Sequence, residues 1–220
     1  KLPPLSENLP LIGSSPAMLD VYRKLAKLMN LEDTVFIFGE NGTGKTLIAN
    51  TIHNFSDRRN LPFIKIHHDV FSNFDLALGF LKSANGGSIL IEDIDLLDQQ
   101  RQKTLRLLLD YDFEISPRFL ITAESQDLGK ISDNNFEPSL LFRINKLTIN
   151  VPPLRFRLSD LDSLVQHFLL EHNADREYKL KINKEALKNV KDYFWPGNVR
   201  QLKNIIYSLS LNSIDNNISA

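Results

Sequence analysis

Two short stretches of this chain carry residue types whose spacing could hold a phosphate and direct an attack on it. The first is Gly39-Glu40-Asn41-Gly42-Thr43-Gly44-Lys45-Thr46, which matches GxxxxGK[ST] in full. Its glycines let successive backbone N–H groups turn inward around a β-phosphate, and a helix starting behind the loop adds partial positive charge. Lys45 can bridge β- and γ-phosphates, and Thr46 can ligate magnesium. That is the chemistry of a nucleoside triphosphate cradle, with ATP and Mg²⁺ as its first reading; the alternative is a glycine-rich turn that happens to contain a lysine. The second stretch, Ser88-Ile-Leu-Ile-Glu92-Asp93, ends an apolar run in two carboxylates, Glu92 suited to the metal and Asp93 to an attacking water. Two solvated carboxylates at a strand end are the plainer alternative.

Such groups need a scaffold that brings chain ends to one edge. Thr34–Phe38 is β-branched and aromatic without alternation and stops at Gly39, as a strand covered on both faces does. Phe63–Ile66, Ile89–Ile91 and Phe119–Ile121 share that character. Helical spacing is read in Pro16–Met29 (Met18, Tyr22, Leu25, Leu28), in Leu47–Phe55, and in Gln99–Tyr111, where Leu105, Leu108 and Leu109 form a stripe. Strand and helix in alternation predict an α/β fold with a parallel sheet. After Pro152–Pro153 the pattern is read as helices only: one capped by Ser159 and running through Leu161, Leu164, Val165, Phe168 and Leu169, one capped by Asn183, and one after Pro196–Gly197 carrying Leu202, Ile205 and Ile206. The expected domains are 1–152, an α/β nucleotide-binding part, and 153–220, a small all-α part. The Asn-rich tail near Asn216 is expected to fray.

Composition excludes several classes. Net charge is −1 over 220 residues, so no global attraction to nucleic acid or anionic lipid is encoded. There is no cysteine, which removes disulfides, thiolate metal sites and cysteine nucleophiles and suits a cytoplasmic location. No apolar run reaches the roughly 20 residues of a membrane span. The chain begins at Lys1 with no leader pattern, so it is expected to be a piece of a longer protein.

Longer stretches resemble a known family, the AAA+ domain of the NtrC-like enhancer-binding proteins and response regulators that act on sigma-54 RNA polymerase. Leu11-Ile12-Gly-Ser-Ser-Pro-Ala-Met18 is similar to the family's opening segment, Gly86-Gly-Ser-Ile-Leu-Ile-Glu-Asp-Ile94 to its GGTLFLDEI stretch, Pro152-Pro-Leu-Arg-Phe-Arg157 to its PPLRxR link, and Trp195-Pro-Gly-Asn-Val-Arg-Gln-Leu202 to its WPGNVREL signature. The resemblance implies a P-loop AAA+ sheet domain followed by a helical lid. It places Ile12 near the adenine, makes Arg200 the sensor II arginine, and makes Arg143 an arginine finger toward a neighbouring subunit. Bland alternatives are a surface salt bridge for Arg200 and a solvated helix-end cation for Arg143.

Departures from the family pattern are equally specific. Relatives carry a GAFTGA loop that contacts sigma-54; here that region is Phe71-Ser-Asn-Phe-Asp-Leu-Ala-Leu-Gly-Phe-Leu-Lys82, without such a loop. The family's Asp-then-Glu pair is Glu92-then-Asp93, a first arginine-finger position is Glu137, sensor I Thr-Asn is Glu124-Ser125, and the asparagine that gates the catalytic glutamate is His67. Losing a trans-acting arginine removes a group worth about 10³–10⁵ in rate in other nucleotide hydrolases. The expectation is an ATP-binding or ADP-binding regulatory module of a transcription factor, forming a nucleotide-dependent homo-oligomer (dimer or ring), with weak or absent hydrolysis and no sigma-54 remodelling. DNA would be reached only through flanking domains. The alternatives are an active hexameric ATPase acting on another partner, and a small-molecule phosphotransferase, which leaves the WPGNVR octet unexplained.

Two further clusters are weighed. His67-His68-Asp69 has metal-ligand chemistry, but consecutive strand residues point to opposite faces, so the pair is not expected to share an ion. Arg58-Arg59 is read as a solvated turn rather than a contact to DNA.

Overall fold

In the computed structural model, which describes residues 11–128, 136–173, 181–212 and 217–218, the apolar runs become strands of one parallel sheet. They are β1 (Val35–Phe38), β2 (Phe63–Ile66), β3 (Ser88–Ile91), β4 (Arg118–Ala123) and β5 (Leu147–Asn150), in the order β2-β3-β4-β1-β5. β3 and β4 are buried at every position, which accounts for their lack of alternation: both faces are covered. β5 was not among the four expected strands. Its LTIN sequence is short, half polar and only partly buried, as suits an edge strand.

Helix α1 (Pro16–Leu28) precedes β1, and α2 (Lys45–Asn54), α3 (Phe74–Ser83), α4 (Gln99–Leu109) and α5 (Pro138–Ile144) separate the strands. In α1 Met18, Leu25 and Leu28 are buried as their spacing predicts, while the fourth core position is Val21 and not Tyr22. α4 ends at Leu109, two residues short of the sequence reading, with Asp110 as its C-cap. Asp98 caps its start by accepting from Arg101 N at 2.8 Å.

The chain divides into two compact units. The first comprises Val21–Gly39 and Lys45–Val151 and holds the sheet. Ile89, Ile91, Ile121, Leu105 and Leu108, each with no exposed surface, lie in its core; burying a side chain of this kind contributes ~1.5–3 kcal/mol. The second takes residues 11–20, Glu40–Gly44 and the described residues from Pro152 on. Its helices are α6 (Leu161–Asn173), α7 (Lys184–Asp192) and α8 (Asn198–Asn212), and its core gathers Leu161, Leu164, Val165, Phe168, Leu169, Trp195, Leu202 and Ile206. Asn183 caps α7 as predicted, accepting from Ala186 N at 2.7 Å. Ser159 does not cap α6: it lies inside a 3₁₀ turn, Leu158–Asp160, that runs directly into the helix. Nor is this unit helical throughout, because β6 (Lys181–Ile182) and β7 (Asn217–Ile218) form a two-residue parallel pair. Two-residue strands are too short to leave a period in a sequence. Asn216 lies outside the described residues.

Candidate functional site

The parallel register sets which residues emerge together at the carboxyl edge of the sheet, where open α/β sheets bind ligands. Ile66 pairs with Ile91, Ile91 with Ile121 and Phe36 with Ile121, so the chain leaves β2 at His67, β3 at Glu92, β4 at Glu124 and β1 at Gly39. Gly39 N donates to Ala123 O at 3.2 Å, and Glu92 N to Ile66 O at 3.2 Å.

Lys45 and Thr46 open α2 within this unit. Lys45 is 7% exposed, and its ammonium donates to Gly39 O at 2.8 Å, so a buried charge is held by a carbonyl at the start of the loop. Thr46 Oγ1 donates to Glu92 Oε1 at 2.7 Å. A hydroxyl and a carboxylate side by side are hard oxygen donors, the set that suits Mg²⁺. Asp93 adopts the left-handed conformation, φ 53°, with its N–H on Thr122 Oγ1 at 3.1 Å. For a non-glycine residue that conformation costs ~1–2 kcal/mol. Two residues on, Asp95 is buried beside it: desolvation raises its pKa, opposed by backbone hydrogen bonds from Asp95 and Glu124, and the Asp93 charge raises it further. Its Oδ1 has no hydrogen-bond partner.

The middle of the loop is held within the second unit. Glu40 receives both Arg155 Nη1, at 2.7 Å, and Arg155 Nη2, and also Asn198 Nδ2 at 3.2 Å. The arginine, opposed by burial and helped by Asn198, holds the Glu40 carboxyl below the usual range. Asn198 Nδ2 donates to Asn41 O at 2.9 Å while its Oδ1 accepts from Leu154 N at 2.8 Å. Arg157 Nη2 donates to Thr43 O at 2.8 Å. Gly42 has φ +78°, and a Cβ there would lie 2.3 Å from Gly197 O, so only glycine fits. Gly44 is also left-handed, φ +108°.

Of the remaining expected residues, Arg200 donates through its backbone N–H to Gly42 O at 3.2 Å, and its side chain is exposed. Ile12 is half-buried against the helical core. Arg143 donates to Leu109 O and pairs with Asp110, so its guanidinium sits on the C-terminus of α4 in its own chain. Glu137 pairs with Arg106 Nε at 3.1 Å. Arg58 corrects the solvated-turn reading: its guanidinium donates to Gly86 O, Gly87 O and Ser116 O and pairs with Glu32, tying loops together. The expectation for His67-His68-Asp69 also fails in its premise, because β2 ends at Ile66 and the three residues lie at the start of a 3₁₀ turn, His68–Ser72.

Sequence reasoning missed Asn198, Arg155, Arg157 and Asp95 as site residues. The first three were in plain view inside the quoted WPGNVRQL and PPLRFR stretches; their hydrogen-bonding geometry has no local signature. Asp95 had only its nearness to Glu92 and Asp93.

Comparison with known proteins bears on both units. Residues 12–154 match the "Sigma-54 interaction domain" and residues 155–220 the "AAA+ ATPase lid domain". The DNA-binding transcriptional regulator NtrC of Bradyrhizobium sp. (strain RP501 Parasponia) is 33% identical over 93% of this chain and 48% of that protein. The Nif-specific regulatory protein of Azospirillum lipoferum is 33% identical over 93% of this chain and 37% of that protein. The chain thus spans about half the length, or less, of the curated relatives it matches. The crystal structure of NtrX from Brucella abortus in complex with ATP superposes with a TM-score of 0.82 at 26% identity, covering 94% of this chain and 54% of that one. AMPPCP-bound DnaA from Aquifex aeolicus, 18% identical with a TM-score of 0.65 over 94% of this chain and 65% of that one, shares the fold. With the family's two consecutive domain patterns matched from residue 12 to the end of the chain, this protein belongs to the sigma-54 interaction domain family of NtrC-like regulators.

Proposed function

We propose that the chain is an ATP-binding AAA+ regulatory module of a cytoplasmic bacterial transcription factor, which uses bound ATP or ADP to set its homo-oligomeric state and hydrolyses ATP weakly or not at all. The carrying observation is a complete loop, Gly39–Thr46, with Lys45 held at Gly39 O and Thr46 at Glu92, beside an acidic pair in Glu-then-Asp order. In this reading Lys45 holds phosphate, Thr46 and Glu92 hold Mg²⁺, Asp93 orients water, Arg200 reports nucleotide to the lid at 153–220, and Ile12 lies against the base. The ATP complex of NtrX supports the choice of nucleotide.

This activity does not include sigma-54 remodelling, a reading supported by α3, which runs from Phe74 to Ser83 without an inserted loop. Exchanging the pair moves each carboxylate by about one methylene, more than 1 Å, in chemistry sensitive to misplacement.

One observation favours the second reading, an active hexameric ATPase working on another partner. Arg106 pairs with Glu137, so the carboxylate at the expected finger position is charge-balanced and does not by itself repel a phosphoryl group. Calorimetric titration with ATP·Mg²⁺ and steady-state phosphate release decide between them. Binding lost in Lys45→Ala, with turnover well below about 1 s⁻¹, is the expected pair of results. Equal binding by wild type and K45A overturns the cradle, and turnover at or above that rate, abolished in Asp93→Ala, selects the motor.

A further inference from the structure

We propose that His67, His68 and Asp69 form a binding site for a divalent transition metal, zinc first among them, separate from the phosphate loop. β2 ends at Ile66; His67 is extended, φ −82° and ψ 150°, and the chain then turns into 3₁₀ conformation at His68. That change of path brings adjacent side chains to one side, with the two imidazole rings 4.0 Å apart between centroids.

Both rings present Nδ1 to the same carboxylate. His67 Nδ1 lies 3.1 Å from Asp69 Oδ2, and His68 Nδ1 lies 3.2 Å from Asp69 Oδ1. One ligand atom from each residue falls within 4.8 Å of the others, and this is the one such group among the described residues. A tetrahedral ion with donors ~2.1 Å away holds neighbouring donors about 3.4 Å apart, so small rotamer changes suffice. His68 supplies the most pointed observation. Its Nδ1 is inaccessible to solvent and makes no hydrogen bond, the Asp69 contact lying outside hydrogen-bond geometry. A buried ring nitrogen that makes no hydrogen bond costs free energy unless something binds it, and a neutral imidazole nitrogen is a ligand for zinc, copper or nickel rather than magnesium. His67 and Asp69 are exposed, which gives an ion an entry path and leaves a fourth position for solvent.

Arg101 is the opposing charge, with Nη2 3.5 Å from Asp69 Oδ1. Its Nε also lies 3.7 Å from Asp98 Oδ2, so it retains an acidic partner when the ion takes Asp69. An ion here would fix the turn between β2 and α3, one strand from Glu92.

The test is titration of zinc alone into the nucleotide-free protein, followed by calorimetry and equilibrium dialysis. One equivalent is expected to bind and raise the unfolding temperature; His68→Ala and Asp69→Asn each weaken binding at least about tenfold, while His167→Ala leaves it unchanged. His67→Ala, at an exposed position, replaces His68→Ala should that variant misfold. No uptake by wild type at about 1 mM free zinc, or uptake by D69N and the histidine variants equal to wild type, overturns the site.

Discussion

Thr46 Oγ1 donates a 2.7 Å hydrogen bond to Glu92 Oε1, joining the first turn of α2 to the end of β3. The helix that carries the loop lysine is thereby tied to the strand that carries the acidic pair, and the bond links two residues 46 positions apart in sequence.

Restoring the family order at that junction is expected to raise activity. The double variant Glu92→Asp, Asp93→Glu should increase phosphate release at least about tenfold, since a misplacement near 1 Å costs rate on that scale. Steady-state release by wild type and double variant side by side checks it; equal rates would mean that the order of the pair is not what limits hydrolysis.

The bracing of Glu40 by Arg155 makes a second prediction. Glu40 brings a negative charge into a loop proposed to receive phosphates, and Arg155 offsets it. Arg155→Ala should weaken ATP binding by about tenfold, and Glu40→Gln in the same background should recover much of the loss, a non-additivity characteristic of residues in contact. Titration calorimetry on the two single variants and the double closes the cycle.

His53 gives a pH dependence. It is 4% exposed, its ring nitrogen lies 2.9 Å from Ser88 Oγ, and desolvation lowers its pKa, opposed by a backbone hydrogen bond with Leu61. The folded protein therefore binds fewer protons than the unfolded chain just below the ordinary imidazole value of about 6.5. Its contribution is fully present above that value and is lost as pH falls toward the depressed folded pKa. Thermal midpoints measured from pH 7.5 down to 5.5 should decline, and His53→Gln should flatten the decline.

Asp95 has the opposite sign. Burial raises its pKa, so ionising it at neutral pH opposes folding. Asp95→Asn, which keeps the shape and an acceptor oxygen, should raise the unfolding midpoint at pH 7 and leave it nearly unchanged near pH 3, where the carboxyl is protonated in both states. A lower midpoint at pH 7 would show that the carboxylate is compensated by a partner.

Asp160, with no exposed surface, accepts from Ser14 N at 2.7 Å, Ser15 N at 2.8 Å and Ser15 Oγ at 2.6 Å. Asp160→Ala strands three donors and should cost ~3 kcal/mol, read as a loss of thermal midpoint. Asp160→Asn keeps one acceptor and should lose less.

What the sequence determined by itself is what depends on local order. GxxxxGK[ST] names the loop, the unalternating apolar runs of β1, β3 and β4 name buried strands, and the spacing of Leu161, Leu164, Val165 and Phe168 names a helix face, because each is a property of neighbours along the chain. The tertiary structure decided the rest. Asn198 reaches Asn41 across 157 positions, and Arg155 reaches Glu40 across 115. Arg143 turns back onto Asp110 of its own chain, and the left-handed backbone at Asp93 re-aims the residue proposed to orient water. Hydrogen bonds of that reach, like the φ of a single aspartate, are fixed by which segments pack together and leave no period in the sequence. His67-His68-Asp69 shows the limit most clearly: alternation was sound physics for a strand, but the strand ended one residue earlier, and the turn put the three donors on one side.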